Sequence, residues 1–332
     1  MNLVTGATGI IGSHVLLHLL ENGKPLIAVK QNSSNTEDVK QLFRFYGKGN
    51  LFEAITWADA DLTDIFSIED LLEGISTVYH CAGYVSFDDK EKFKLKLLNE
   101  TVTANVVNAC LHKGVNYFCH VSSVATINNN DYNGKLHESV FWKTSGHESY
   151  YAISKHNAER EVWRGGEEGL NIVIVNPGVV ISPVFSKRSS GRLLDICRKG
   201  SVFYTEGSTA YVAAPDVAKA MVTLTENKIF GERFILNERH YTNYEMMSMI
   251  QEAFGNSKPR IKVNKVLLYA ASGIDALMSF ITRRERKLNA NTVRASLGSK
   301  IYCDDKIKKA IHFSFTPVKE FIQQIAAPCL LK

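Results

Sequence analysis

Long apolar runs, paired cysteines and a large surplus of one charge are all missing from this 332-residue chain. The most apolar stretch, Val266 to Ile281, covers 16 residues and carries Asp275. It is too short and too polar to span a bilayer, which takes about 20 apolar residues. It reads as a core or lid helix, with a monotopic membrane contact as the alternative. The opening Met1-Asn2-Leu3-Val4-Thr5-Gly6 has neither a basic n-region nor an apolar h-region, so no signal peptide is expected there. The six cysteines, Cys81, Cys110, Cys119, Cys197, Cys303 and Cys329, include no C-x-x-C pair. Their low density excludes a disulfide scaffold and suits buried thiols in a reducing, cytoplasmic interior. Net charge is only +5. The longest basic cluster, Arg283-Arg284-Glu285-Arg286-Lys287, reads as a solvated helix end, with a nucleic-acid or lipid patch as the sharper alternative, and no nucleic-acid partner is expected. His14 and His18 stand at i, i+4 but lack a third ligand, so they read as a packed or solvated pair, with no metal. No repeat, low-complexity segment or flexible linker is evident.

What the chain does have is an ordinary globular composition, 45 % hydrophobic and 22 % charged, at a length that suggests about two domains or one with a lobe. The N-terminal half alternates short β-rich runs with helical patterns. Strands are expected at Leu3–Thr5, Leu26–Lys30, Ala54–Trp57, Thr77–His80, Tyr117–Val121 and Asn171–Val175. Helices are expected after Thr5 to Asn22-Gly23, from Ile68, over Glu100–His112 and over Tyr151–Glu167. This alternation predicts an α/β fold with a doubly wound parallel sheet and ligands beyond the carboxyl ends of its strands. Beyond Pro177 the pattern weakens. Residues 182 to 209 read as loop-rich, Pro215–Glu226 as a helix, Glu232–Leu236 as a strand, and the rest as mostly helical. The expected division is a dinucleotide-binding domain over 1–181, with 209–237 returning to it. Residues 182–208 and 238–332 then form a smaller, mainly helical substrate lobe packed directly on it.

Thr5-Gly6-Ala7-Thr8-Gly9-Ile10-Ile11-Gly12 lies at the first strand–helix junction. Gly6 permits a tight turn, Gly9 lets a pyrophosphate approach the backbone, and Gly12 lets helix and sheet pack closely. The helix N-terminus turns free N–H groups and a positive dipole end toward the phosphates. The G-x-x-G-x-x-G spacing resembles that of the extended short-chain dehydrogenase/reductases, the NAD-dependent epimerase/dehydratase family. That resemblance implies a Rossmann-type fold and a bound NAD(P). After the second strand comes Val29-Lys30-Gln31-Asn32-Ser33-Ser34, with no carboxylate before Glu37. Lys30 offers a cation to a 2′-phosphate, with Ser33 and Ser34 as hydroxyl partners. This favours NADP, with NAD possible and an ordinary surface lysine as the plainer reading. Asp61-Leu62 resembles the family's pair beside the adenine. Cys81-Ala82-Gly83 falls where the family sets small residues against the cofactor.

Tyr151-Ala152-Ile153-Ser154-Lys155 puts a tyrosine and a lysine on one helix face. A nearby ammonium can lower a tyrosine's pKa, which brings phenol/phenolate exchange toward neutral pH. Val121-Ser122-Ser123-Val124-Ala125 ends the fifth strand. By resemblance Ser123 is the catalytic serine, with Ser122 as fallback. Asn99, in Asn99-Glu100-Thr101, matches the asparagine that holds a water chain leading to the lysine. Tyr150 has no lysine four residues on and reads as packing or pocket wall. Asn176-Pro177-Gly178-Val179-Val180-Ile181-Ser182-Pro183 resembles the segment beneath the nicotinamide, with Pro177 and Val180 near the cofactor. It departs from the pattern at Asn176, usually Arg, and at Ser182, usually Gly. Asp216 matches an aspartate that caps a helix. Phe87, Trp142, Phe185 and Tyr204 are candidate apolar pocket walls.

Within the family, epimerases usually carry an acidic residue after strand two, and an arginine where this chain has Thr209. Dehydratases add carboxylates near the serine, and none follows Ser123 here. The expected activity is therefore an NADP-dependent carbonyl reductase or alcohol dehydrogenase, resembling dihydroflavonol 4-reductases and 3β-hydroxysteroid dehydrogenases. The alternatives are a nucleotide-sugar epimerase/dehydratase holding NAD tightly, and a non-catalytic NADP-binding sensor or scaffold. The expected partners are a small-molecule carbonyl or alcohol and, by resemblance, a second copy in a homodimer.

Overall fold

The computed structural model describes residues 1–128, 134–146, 148–184, 191–282 and 290–330. The strands are β1 (Asn2–Thr5), β2 (Leu26–Lys30), β3 (Thr56–Asp59), β4 (Thr77–His80), β5 (Tyr117–Val121), β6 (Asn171–Pro177), β7 (Val179–Ile181), β8 (Phe203–Tyr204), β9 (Ser208–Ala213), β10 (Glu232–Leu236), β11 (Arg239–Thr242) and β12 (Ile261–Lys262). The helices are α1 (Ile10–Glu21), α2 (Glu37–Phe45), α3 (Ile65–Glu69), α4 (Lys92–Leu95), α5 (Val102–His112), α6 (Tyr150–Glu167), α7 (Gly191–Arg198), α8 (Ala214–Glu226), α9 (Asn243–Ala253), α10 (Lys265–Thr282), α11 (Ala290–Leu297), α12 (Asp305–Ile311) and α13 (Val318–Leu330).

Seven strands form one parallel sheet in the order β3-β2-β1-β4-β5-β6-β10. The chain winds outward from β1 to β3, then returns to β4 on the other side of β1. The connections leaving β1 and β4 go to opposite faces, which opens a crevice at the carboxyl ends of those two strands. Strand alternation supplies a core on each face. Val173 and Val175 of β6 pack with residues of α1 and α8. Ile172 and Ile174 pack with residues of α5 and α6. Burying each such side chain contributes on the order of 1.5–3 kcal/mol, which is why these strands lack an alternating polar face.

Several elements depart from expectation. The third strand lies at β3, two residues on. The helix expected from Ile68 is α3, which starts earlier because the Asp64 carboxylate accepts from the Phe66 N–H at 3.1 Å. Helix α2 was not expected; Val39, Leu42 and Phe43 are its buried stripe. The helix expected from Glu100 begins as a π-turn over Lys96–Thr101 and becomes α5 only at Val102. The stretch read as loop-rich contains α7, which buries Leu194 and Cys197. Strand β10 joins the main sheet, and β9 sits in a separate sheet of order β11-β9-β7.

Among the described residues no helix is long and apolar enough to cross a membrane, and no cluster of side chains is placed to hold a metal. His14 is buried, its ring nitrogens against the Ile10 carbonyl (2.7 Å) and the Tyr46 hydroxyl (3.2 Å). Burial lowers its pKa to about 4. Phe185 and the cluster over 283–287 lie outside the described residues.

Asp216 does not cap its helix; Ala213 holds the N-cap position of α8. The Asp216 carboxylate instead accepts from the Thr316 N–H (2.7 Å) and hydroxyl (2.9 Å), tying the C-terminal region to α8. Asp216→Ala should cost about 1.5–3 kcal/mol, as for hydrogen bonds to a charged group. Urea denaturation would show this as a lower midpoint; an unchanged midpoint would remove the tie's energetic role.

Candidate active site

The crevice closes on bare backbone. Gly6 has φ +62°, and a Cβ there would lie 2.5 Å from the Ala82 nitrogen. The loops after β1 and β4 can touch only because position 6 has no side chain. A Cβ on Gly12 would lie 2.3 Å from the Gly6 carbonyl oxygen, and one on Gly9 3.1 Å from it. Gly9 is the N-cap of α1 and brings no side-chain cap, so the first-turn amides, with Ile10 and Ile11, remain available to an anion. Thr8 is buried within the turn. This cradle fits a dinucleotide's diphosphate.

A buried polar chain joins the two loops. The Ala82 N–H donates to Thr5 Oγ1 at 3.4 Å, and Thr5 Oγ1 lies 2.7 Å from His80 Nδ1. His80 Nε2 lies 3.1 Å from Thr103 Oγ1, which donates to the Asn99 carbonyl at 2.6 Å. The network assigns the proton to His80 Nε2, so Nδ1 accepts from Thr5. Burial holds His80 neutral, its pKa lowered to about 3.

The remaining cofactor candidates fall around this crevice. Lys30, at the end of β2, ion-pairs with Asp59, its register partner on β3. The cation expected to be open to a 2′-phosphate is therefore already engaged. Asp61 is turned onto its own loop, accepting from the Thr63 N–H (2.9 Å) and hydroxyl (2.8 Å), which hold its pKa low. Leu62 is half-buried against the α5 side of the core. Cys81 is half-buried, and burial raises its thiol pKa well above the ordinary value. The Cys81 N–H bonds the Thr5 carbonyl at 3.2 Å. Pro177 ends β6 and is buried, with Val180 half-buried just beyond it.

Helix α6 brings the reactive side chains together. The Ser149 hydroxyl caps it, accepting from the Ala152 N–H at 3.2 Å. Tyr151, Lys155 and Glu159 follow at steps of four and share one face. Ser123 accepts from the Ala125 N–H at 3.2 Å, and its hydroxyl is close enough to Tyr151 to pull the phenol's pKa down. Ser122 points the other way and donates to Glu159 at 2.7 Å, which leaves Ser123 as the serine that meets the tyrosine. Lys155 Nζ donates to the Val121 carbonyl at 2.7 Å. Burial lowers its pKa to about 8, against the opposing charge of Glu159. The expected lowering of the tyrosine's pKa by the ammonium is not found. Burial raises the Tyr151 pKa, and Ser123 alone pulls against it, because the ammonium is held by Val121.

Asn99 is fixed by direct hydrogen bonds. Its amide accepts from the Tyr84 N–H (2.7 Å) and donates to the Tyr84 carbonyl (3.0 Å) and Ser154 Oγ (2.9 Å). It pins the loop after β4 directly. A Cβ on Gly83 would meet both Asn99 Oδ1 (3.3 Å) and Lys155 Nζ (3.5 Å), so the amide and the ammonium face one gap.

Among the proposed walls that are described, only Phe87 stands by the tyrosine, with ring centroids 5.7 Å apart. Asn291 of α11 reaches that segment, donating to Asp89 at 2.7 Å. Trp142 stacks instead on His156 at 4.3 Å, on the far side of α6. Tyr204 packs against Tyr244 at 4.8 Å in the C-terminal region. Tyr150 is 41 % exposed, beside Lys92, and lines no core. Sequence reasoning missed Glu159, Arg233 and the group formed by Asn128, Glu148 and Lys300. The step of four beyond Lys155 was a legible signal for Glu159; Arg233 had none.

With this geometry in hand, the chain's relatives are informative. Residues 2–236 match the NAD-dependent epimerase/dehydratase family, and the chain belongs to it, as an extended short-chain dehydrogenase/reductase that binds NAD(P). It is similar to sterol demethylase protein B of Methylococcus capsulatus, 27 % identical over 88 % of this chain and 87 % of that protein. It is similar to a bifunctional dihydroflavonol 4-reductase/flavanone 4-reductase of Malus domestica, 26 % identical over 76 % and 75 %. In fold it matches UDP-glucose 4-epimerase of Thermotoga maritima with TM-score 0.78 at 20 % identity, covering all of both chains.

Gly12→Ala should weaken dinucleotide binding about tenfold or more, since overpacking costs about 1–3 kcal/mol. Quenching of protein fluorescence by added NAD(P)H would measure it, and wild-type affinity would contradict the cradle.

Proposed function

We propose that the protein is an NADPH-dependent reductase of an apolar aldehyde or ketone, or the corresponding alcohol dehydrogenase in reverse. The observation that carries this reading is the grouping of Ser123 and Tyr151 beside the buried Lys155 at the mouth of the crevice. Gly6, Gly9 and Gly12 would hold the dinucleotide by its diphosphate, and the chemistry it would supply is hydride donation to the carbonyl carbon. Ser123 Oγ holds the carbonyl oxygen, and Tyr151 Oη donates a proton to it as negative charge develops. Lys155, protonated below about pH 8, must turn from the Val121 carbonyl to stabilise the phenolate left on Tyr151. Asn99 keeps the loop after β4 closed against this group. Phe87 over the tyrosine ring favours an apolar substrate, and the similarity to dihydroflavonol reductases supports the same chemistry.

NADPH remains the favoured cofactor because no carboxylate stands at the end of β2 itself, although Lys30 must trade Asp59 for the 2′-phosphate. The competing reading, an epimerase with retained NAD, draws on the shared fold. In that case the purified protein would carry NAD(H) and show no net consumption of reduced cofactor.

The deciding experiment follows NADPH oxidation with a panel of aldehydes, flavonols, steroids and small ketones, with NADH in parallel. Tyr151→Phe should lower turnover by about 100-fold or more, in line with general-acid contributions, and leave NADPH binding intact. Retained turnover in that variant would defeat the mechanism. The reduction rate should fall as pH rises past about 8, where Lys155 loses its proton; a rate flat through that range would separate Lys155 from catalysis. Lys30→Ala should narrow the preference for NADPH over NADH, and an unchanged ratio would remove Lys30 from cofactor choice.

A further inference from the structure

A guanidinium from β10 and an amide from β6 meet on one buried carboxylate of α6. In the β6–β10 register Asn176 pairs with Ile235 and Arg233 with Ile174. Both polar side chains therefore leave the same sheet face, toward α6. They converge on Glu159, which is 2 % exposed. Arg233 Nη1 donates to Glu159 Oε1 at 2.9 Å. Asn176 Nδ2 and Ser122 Oγ are directed at Oε2, at 3.1 Å and 2.7 Å. A carboxylate this deep needs a cation and a full set of donors, or its desolvation is not offset.

The same groups reach the reacting side chains. Asn176 Nδ2 lies 3.2 Å from the Ser123 carbonyl and 2.9 Å from Thr126 Oγ1, inside the turn that carries Ser123. Glu159 sits one helical turn beyond Lys155, on the same face. The remaining Arg233 donors take the Glu138 carbonyl (2.8 Å, Nε) and the Val140 carbonyl (3.0 Å, Nη2). One guanidinium thus joins α6, the turn after β5 and the loop through 138–140. Asn176 Oδ1 is buried without a partner among the described residues.

We infer that Arg233, Asn176 and Glu159 form a positioning unit holding Ser123 and Lys155 in register with Tyr151. This rests on the reading of those three residues as the proton-transfer group.

A relocation experiment tests it. Arg233→Ala should lower kcat about 10- to 100-fold, the scale of a small misplacement of a reacting group, with NADPH affinity unchanged. Asn176→Arg in the Arg233→Ala background should restore most of the rate. A cavity of about 380 Å³ opens onto Arg233 and Glu159 from outside, so guanidinium at sub-denaturing concentration should also rescue Arg233→Ala. Amide hydrogen exchange over Val121–Thr126 should accelerate in the single variant and slow again in the double, and this readout needs no substrate. Wild-type kcat in Arg233→Ala overturns the inference. So does a double variant that binds NADPH yet recovers neither rate nor exchange protection. If Arg233→Ala does not fold, the double variant alone decides, by whether it folds with near-wild-type rate or folds without it. If the wild-type protein reduces no carbonyl, the reductase reading fails on that arm, and the exchange comparison still judges the positioning unit.

Discussion

No side chain can stand at position 6. The loop leaving β1 presses against the loop leaving β4 so closely that a Cβ there would overlap the Ala82 backbone. That contact lies where the strand order reverses, and much else follows from it. It leaves the first turn of α1 uncapped and facing the crevice. It brings Thr5 within reach of His80 and the Ala82 N–H. Through Thr103 the same chain of hydrogen bonds reaches Asn99, whose amide fastens the loop that faces Lys155.

The reacting side chains are then set by electrostatics in a dry place. Lys155 is buried between strand ends and helix, and its pKa has fallen to about 8. His80 and His120 stack beneath at 5.3 Å, and burial keeps both neutral, so neither adds a second positive charge under the lysine. Glu159 supplies a counter-charge from α6, and Glu159 is itself neutralised by Arg233. A low local dielectric strengthens each of these interactions and makes each unpaired group costly. The protein meets that constraint by linking the groups into a network rather than leaving isolated pairs.

The aromatic residues show how poorly residue type alone locates a pocket. Phe87, Trp142 and Tyr204 are alike in composition, yet they serve three separate surfaces. Only Phe87, held near Asn291 of the C-terminal region, stands beside Tyr151. The loop around Trp142 instead belongs with Arg233 on the outer side of α6. The C-terminal region is thus joined to the rest at several points, through Asn291 to Asp89 and through Thr316 to Asp216, and its contribution to the pocket depends on those ties.

What the sequence determined by itself is local or periodic. Alternating strand and helix patterns specify the parallel sheet. The glycine spacing marks the cradle, because only glycine suits such an approach. Tyr151 and Lys155 are legible because a step of four is a helix face. Where the reading slipped, a non-local partner intervened. Asp216 reads as a cap until Thr316, one hundred residues on, takes its carboxylate. Lys30 reads as a free cation until β3 brings Asp59 beside it. Arg233 has no pattern at all, since it meets Glu159 only when β10 pairs with β6. Those outcomes belong to the tertiary structure, because the charge and hydrogen-bond state of a side chain is set by what folding places within a few ångströms, and sequence distance carries no record of that.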